Sequence, residues 1–170
     1  MPDEDDDAQA LERARRDAEE GKAPSTQAGE FVREEIHHVR EGKHGARSPK
    51  QAIAIGLSKA RRAGVDLPVP EAGAAPEETR RKAARDVAKG HRRTPSPTSA
   101  RRSRAVTSAL EREGRGAATP SALARQARSS ARKRSPAARS AAAKRAARTK
   151  GPRQRSAAAR KAARTRARKM

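Results

Sequence analysis

The chain has no cysteine, no tryptophan and no tyrosine, and its one phenylalanine is Phe31. Without cysteine there is no disulfide framework, thiolate nucleophile or zinc–thiolate site. Without aromatics, the stacking platforms used by single-strand nucleic-acid binders are missing. Large aliphatic side chains are scarce as well. Leu, Ile, Val and Phe together number 15 of 170 residues, far below the ~20 per cent under which highly charged chains tend to stay unfolded. No apolar run approaches the ~18 residues of a membrane span, and Met1-Pro-Asp-Glu-Asp is the opposite of a basic signal peptide. A cytoplasmic, nucleoid-associated location is therefore expected. No nucleophile with its base, pair of pocket acids or glycine-rich phosphate loop stands out. The expectation is of no enzyme, no cofactor and no small-molecule substrate.

What remains is alanine, 39 residues of it, and positive charge. The charge is unevenly spread. Residues 1–41 carry 13 acidic and 6 basic side chains, residues 42–113 carry 7 and 17, and residues 114–170 carry 19 Lys or Arg without one acid. Arg outnumbers Lys 31 to 11. Its planar fork suits bidentate phosphate contact, although codon bias in a GC-rich genome accounts for the ratio equally well. The tail also repeats: Ser140-Ala-Ala-Ala-Lys144-Arg145-Ala-Ala-Arg148-Thr149 returns as Ser156-Ala-Ala-Ala-Arg160-Lys161-Ala-Ala-Arg164-Thr165. Helical spacing places Lys144 with Arg148, and Arg160 with Arg164, on common faces. Such like-charge pairs oppose the high helix propensity of alanine, so the free tail is expected to gain helix only on a polyanion.

These features predict a mostly disordered chain with all-α elements and no β-sheet, in four parts. Residues 1–24 read as an acidic arm with a marginal helix, its acids either competing with phosphate for the Arg clusters or only aiding solubility. Residues 25–70 read as a helix–loop–helix module. There Ser25 is a candidate N-cap, Val32, Ile36 and Val39 recur at helical spacing, and Gly42 is a stop. Ser48-Pro49-Lys50-Gln51 reads as a capping box, after which Ile53, Leu57 and Ala60 share a face, Ile53 and Leu57 meeting Val32 and Ile36. Gly56 allows close approach, Gly64 ends the helix, and Val65, Leu67 and Val69 run extended over its end. Residues 71–113 read as a linker with short basic helices, and residues 114–170 as an Ala/Arg-rich, helix-prone tail. Five Ser/Thr-Pro pairs (Ser48, Thr94, Ser96, Thr119, Ser135) suit N-caps and turns better than phosphorylation.

Two resemblances follow from these segments. The tail, with Ser135-Pro136-Ala137-Ala138, resembles the C-terminal tails of linker histones and of bacterial histone H1-like proteins, which implies charge neutralisation and compaction of duplex DNA. The run from Gly42-Lys43 through Arg47-Ser-Pro-Lys50-Gln51-Ala-Ile53-Ala-Ile55-Gly-Leu57 to Ala63-Gly64 resembles the core motif of a family of small basic bacterial proteins of unestablished function. Here Ile36-His37-His38-Val39 stands where those proteins carry a His-Glu-Phe-like helix end, and the loop is short.

Sequence-independent duplex DNA binding is thus the expected activity. In the module the candidate contacts are Lys43, Arg47, Lys50, Lys59, Arg61 and Arg62. In the tail they are Arg132, Lys133, Arg134, Lys144, Arg145, Arg148, Arg160, Lys161, Arg164, Arg166, Arg168 and Lys169. The alternatives are an RNA- or ribosome-binding protein, or a protein-interaction module at 25–70 anchored to nucleic acid by its tail. His37, His38 and His44 invite a metal reading, but adjacent helical histidines point about 100° apart and no carboxylate or thiolate has convincing spacing, so none is expected.

Overall fold

The computed structural model describes residues 2–92 and 99–168. Among them are seven α-helices, one short 3-10 turn and no strand. The expectation of a mostly disordered chain is thereby overturned: helix extends through the arm, the module, the middle segment and the tail. The chain divides into two compact units, one ending at Gln126 and the other beginning at Ala127.

The first unit is built on α2 (Pro24–Glu41) and α3 (Pro49–Arg62). Helix α2 starts one residue before the expected cap. Ala23 occupies the N-cap position without a side-chain bond and Pro24 the first turn, where its fixed φ and missing N–H cost nothing; Ser25 therefore lies inside the helix. Gly42 ends α2 at φ 83°, with its N–H on the His38 carbonyl. Ser48 caps α3 by accepting from the Gln51 N–H. The reciprocal bond of a capping box shifts by one residue, since Gln51 Oε1 accepts from the Arg47 N–H at 3.0 Å.

Close approach holds the pair together. A Cβ on Gly56 would lie 2.7 Å from the Val32 Cα and 3.0 Å from the Phe31 carbonyl oxygen. Helix α1 (Pro2–Glu19) packs on α2, so the acidic arm is a docked element. Ala10, Ala14, Ala28, Phe31 and Ala60 form one buried cluster, flanked by Leu11, Leu57, Val65 and Leu67. A second cluster joins Ile36, Val39, Ala46 and Ala52 to Ala117 and Ala118 of the 3-10 turn Arg115–Ala118. Leu57, expected against Val32 and Ile36, is partly buried and packs on the cluster of Ala28 and Phe31 instead. Ile53 belongs to neither cluster, and Ala52 takes the place opposite Ile36. Alanine contributes little area per residue, but small faces let helix backbones pack together, and dispersion grows with every close atom pair. That is how a chain with 15 large apolar residues becomes ordered.

Helix α4 (Glu77–Gly90) packs on α3 through Ala83, and Ser58 donates to Asp86 at 2.6 Å. Between α3 and α4, Arg61 and Arg80 clip down the strap that carries Val65 and Leu67 by donating to the carbonyls of Pro68 and Pro70. Helix α5 (Ala100–Glu111) is followed by a loop that meets the α2–α3 connection, where Gly45 and Ala46 donate to the carbonyls of Leu110 and Gly114. The unit boundary falls within α6 (Pro120–Arg132), which Thr119 caps by accepting from the Ala122 N–H. Thr94 and Ser96 lie outside the described residues.

Candidate nucleic-acid interface

The second unit is dominated by α7 (Pro136–Ala167). Ser135 caps it by accepting from the Ala138 N–H at 3.1 Å, with Pro136 in the first turn. Its 32 residues include 13 alanines and no Leu, Ile, Val, Phe or Met. Alanine propensity with a good cap outweighs like-charge pairs that cost only about 0.2–0.5 kcal/mol each. The expectation of an unfolded free tail is corrected accordingly. The two sequence repeats fall on either side of a break at Gly151 (φ 63°, ψ 167°), followed by Pro152. Proline's ring and missing N–H stop the first segment, and only glycine adopts that φ without strain.

Lys144, Arg145 and Arg148 lie on the first segment, and Arg160, Lys161, Arg164 and Arg166 on the second, all exposed. Arg132 ends α6, Lys133 and Arg134 occupy the turn before Ser135, and Arg168 follows α7; these too are exposed. Lys169 lies outside the described residues. With no apolar stripe, α7 has nothing to bury against a partner helix. What it exposes is chiefly cations and alanine.

The six module candidates divide evenly. Arg47, Lys50 and Arg62 are exposed. The other three are engaged within the fold. Lys43 hydrogen-bonds Asp6 of α1, which raises the lysine pKa and lowers that of the aspartate. Lys59 sits between Glu35 Oε2 at 3.3 Å and Asp7 Oδ1 at 2.9 Å. Burial alone would lower its pKa, but Glu35 and Asp7 outweigh that and the value stands raised. Arg61 is buried, which lowers its pKa against the opposing pull of Asp86. Asp6 and Asp7 thus pair with module lysines.

Behind this ion-pair layer lies a polar cluster that the sequence reading did not assemble. Glu35 is fully buried, and neither of its carboxylate oxygens has a hydrogen bond. His44 Nε2 stands 3.3 Å from Oε1 and Lys59 Nζ 3.3 Å from Oε2, within ion-pair range but without hydrogen-bond geometry. His38, also buried, faces Asp6 Oδ2 at 3.2 Å through Nε2. His37, adjacent in sequence, is exposed and takes no part. Glu35 and His38 are three residues apart on one helix face, a spacing that could have flagged them. His44 reaches them only because Gly42 turns the chain back.

Residues 21–71 match the model of a family of unknown function (DUF6496). The match runs from the start of α2 through the strap after α3, so it contains Glu35, His38, His44 and Lys59 and leaves α1 and α7 outside. No curated protein and no solved structure matches the chain. Among the described residues no helix is long and apolar enough to cross a membrane.

Proposed function

We propose that the protein binds duplex nucleic acid, DNA foremost, through its phosphates and without reading sequence, with α7 as the main contact. The observation that carries this reading is an exposed 32-residue helix with no acid and no Leu, Ile, Val, Phe or Met. Neutralising phosphates releases condensed counterions, which supplies affinity to any such polycation. Fifteen or sixteen helical residues span about 24 Å, the length of about seven base pairs. The break at Gly151 gives two such segments instead of one straight rod, and a bent pair follows a curving groove further. Arg47, Lys50 and Arg62 offer a smaller secondary contact on the module. Base-specific reading is not part of the proposal, because α7 carries few side chains other than cations, alanine and serine.

Binding to a mixed-sequence duplex, measured across a salt series, tests the proposal. If about ten phosphates are neutralised, log K falls against log salt with a slope near −9. Removing residues 135–170 deletes 13 Lys or Arg and no acid and is expected to flatten the slope by more than half. An unchanged slope in the truncated chain sinks the assignment of affinity to α7. Duplex RNA in parallel separates the RNA-binding alternative.

A further inference from the structure

We infer that Glu35, His38 and His44 form a binding site for a divalent transition-metal ion of the zinc class, inside the module and independent of the phosphate-binding tail. One ring nitrogen of each histidine and a carboxylate oxygen of Glu35 all lie within 4.8 Å of one another. Two imidazoles and one carboxylate make a donor set that zinc and related ions accept, leaving a fourth position for water.

The strongest sign is Glu35 itself. A carboxylate offers about four acceptor positions, and burying one carries a large desolvation cost, which the Lys59 ammonium 3.3 Å from Oε2 offsets only in part. A cation coordinated by that carboxylate removes the cost. The second sign is the histidine tautomer. His44 Nδ1 is 3.0 Å from the Gly45 carbonyl oxygen, so the proton belongs on Nδ1, and Nε2, 3.3 Å from Glu35 Oε1, keeps its lone pair. Nε2 and Oε1 are then two acceptors 3.3 Å apart with no hydrogen bond joining them, and a cation shared by both relieves their repulsion. A ligand histidine whose other nitrogen donates to a backbone carbonyl or a carboxylate is the arrangement that metal centres use to orient imidazoles. His44 has it with Gly45.

The site closes readily because His44 sits on the short connection between α2 and α3, beyond the turn at Gly42. Bonds of about 2.0–2.2 Å require the donor atoms to draw together by roughly 1 Å. Lys59 is the competing cation on Glu35, and its second partner Asp7 retains it when the ion enters. A neighbouring set, Asp6, Glu34 and His38, is less suited, since Asp6 and Glu34 already accept hydrogen bonds from Lys43 and Arg13 whereas the Glu35 oxygens accept none.

The test uses the full-length chain, freed of metal by chelator and titrated with Co2+. The expected result is one ion per chain, with visible absorption bands of nitrogen-ligated cobalt that Zn2+ abolishes and Mg2+ does not. Glu35→Gln and His44→Gln are expected to weaken binding by at least the 10–100-fold that loss of even an outer partner costs. His37→Gln and His91→Gln, at exposed positions, are expected to leave it intact. Lys59→Gln removes the competing ammonium and is expected to bind at least as tightly as the parent. Bands absent from the parent chain, or lost with His37 or His91 instead of His44, overturn the inference. Nitrogen-15 spectra of the parent's histidines read the site without any variant. One equivalent of Zn2+ shifts the ring signals of His38 and His44 if the inference holds, and unmoved signals overturn it.

Discussion

Gly56 shows how one residue sets the spacing of two helices. The atoms a Cβ would strike there, the Val32 Cα and N and the Phe31 carbonyl oxygen, are backbone and cannot rotate aside. Alanine in place of glycine gains about 1 kcal/mol of helix propensity, but forcing extra volume into a packed contact costs about 1–3 kcal/mol. Gly56→Ala is therefore expected to destabilise the first unit, read as a lower urea midpoint in far-ultraviolet circular dichroism. A raised midpoint would show that α2 and α3 separate at little cost. The same logic applies at Gly90, where a Cβ would lie 2.1 Å from the Arg61 carbonyl oxygen, locking α4 against the end of α3.

At the scale of elements, α1 and α7 differ although both are highly charged. Helix α1 has Ala10 and Ala14 to bury, and Arg13 reaches across to Glu30 at 2.8 Å and to Glu34, so it docks. Helix α7 has no such face and stands on propensity and its cap. Its break is a local feature of two residues. The double substitution Gly151→Ala/Pro152→Ala restores a helix-competent backbone, giving one continuous helix of about 48 Å. A deeper helical circular-dichroism signal is the expected reading. An unchanged signal would mean that something other than these two residues interrupts the helix.

Over the whole molecule a net charge of +22 on 170 residues sets the response to salt. Self-repulsion on that scale opposes compaction, whereas the ion pairs of the first unit are partly exposed and individually weak. Screening removes more repulsion than attraction. The melting temperature is expected to rise as sodium chloride increases from about 10 to 150 mM, over which the Debye length shortens from about 30 to 8 Å. A fall would show that the ion pairs holding α1, Lys43 to Asp6 and Lys59 to Asp7 among them, outweigh the general repulsion.

The amino-acid sequence by itself determined several helix ends and the charge layout. Gly42, Ser48-Pro49, Gly64 and Ser135-Pro136 act within one turn of their own positions, since a cap or a left-handed glycine requires nothing from distant chain. The exposed cations of α7 were legible for the same reason, because a segment with no acid and no large apolar residue has no ion pair of its own and no face to bury. Tertiary structure alone decided which cations remain free. Lys43, Lys59 and Arg61 read like Arg47, Lys50 and Arg62 in sequence, and only the docking of α1, the burial of Glu35 and the strap after α3 took them out of the surface. It also decided the order of the chain, through alanine. An alanine is equally at home on a solvated helix and in a tight helix contact, and whether Ala10, Ala52 or Ala117 is buried depends on which faces meet across long stretches of chain. The convergence of Glu35, His38 and His44 has the same origin: two share a helix, and the third arrives only because the loop folds back.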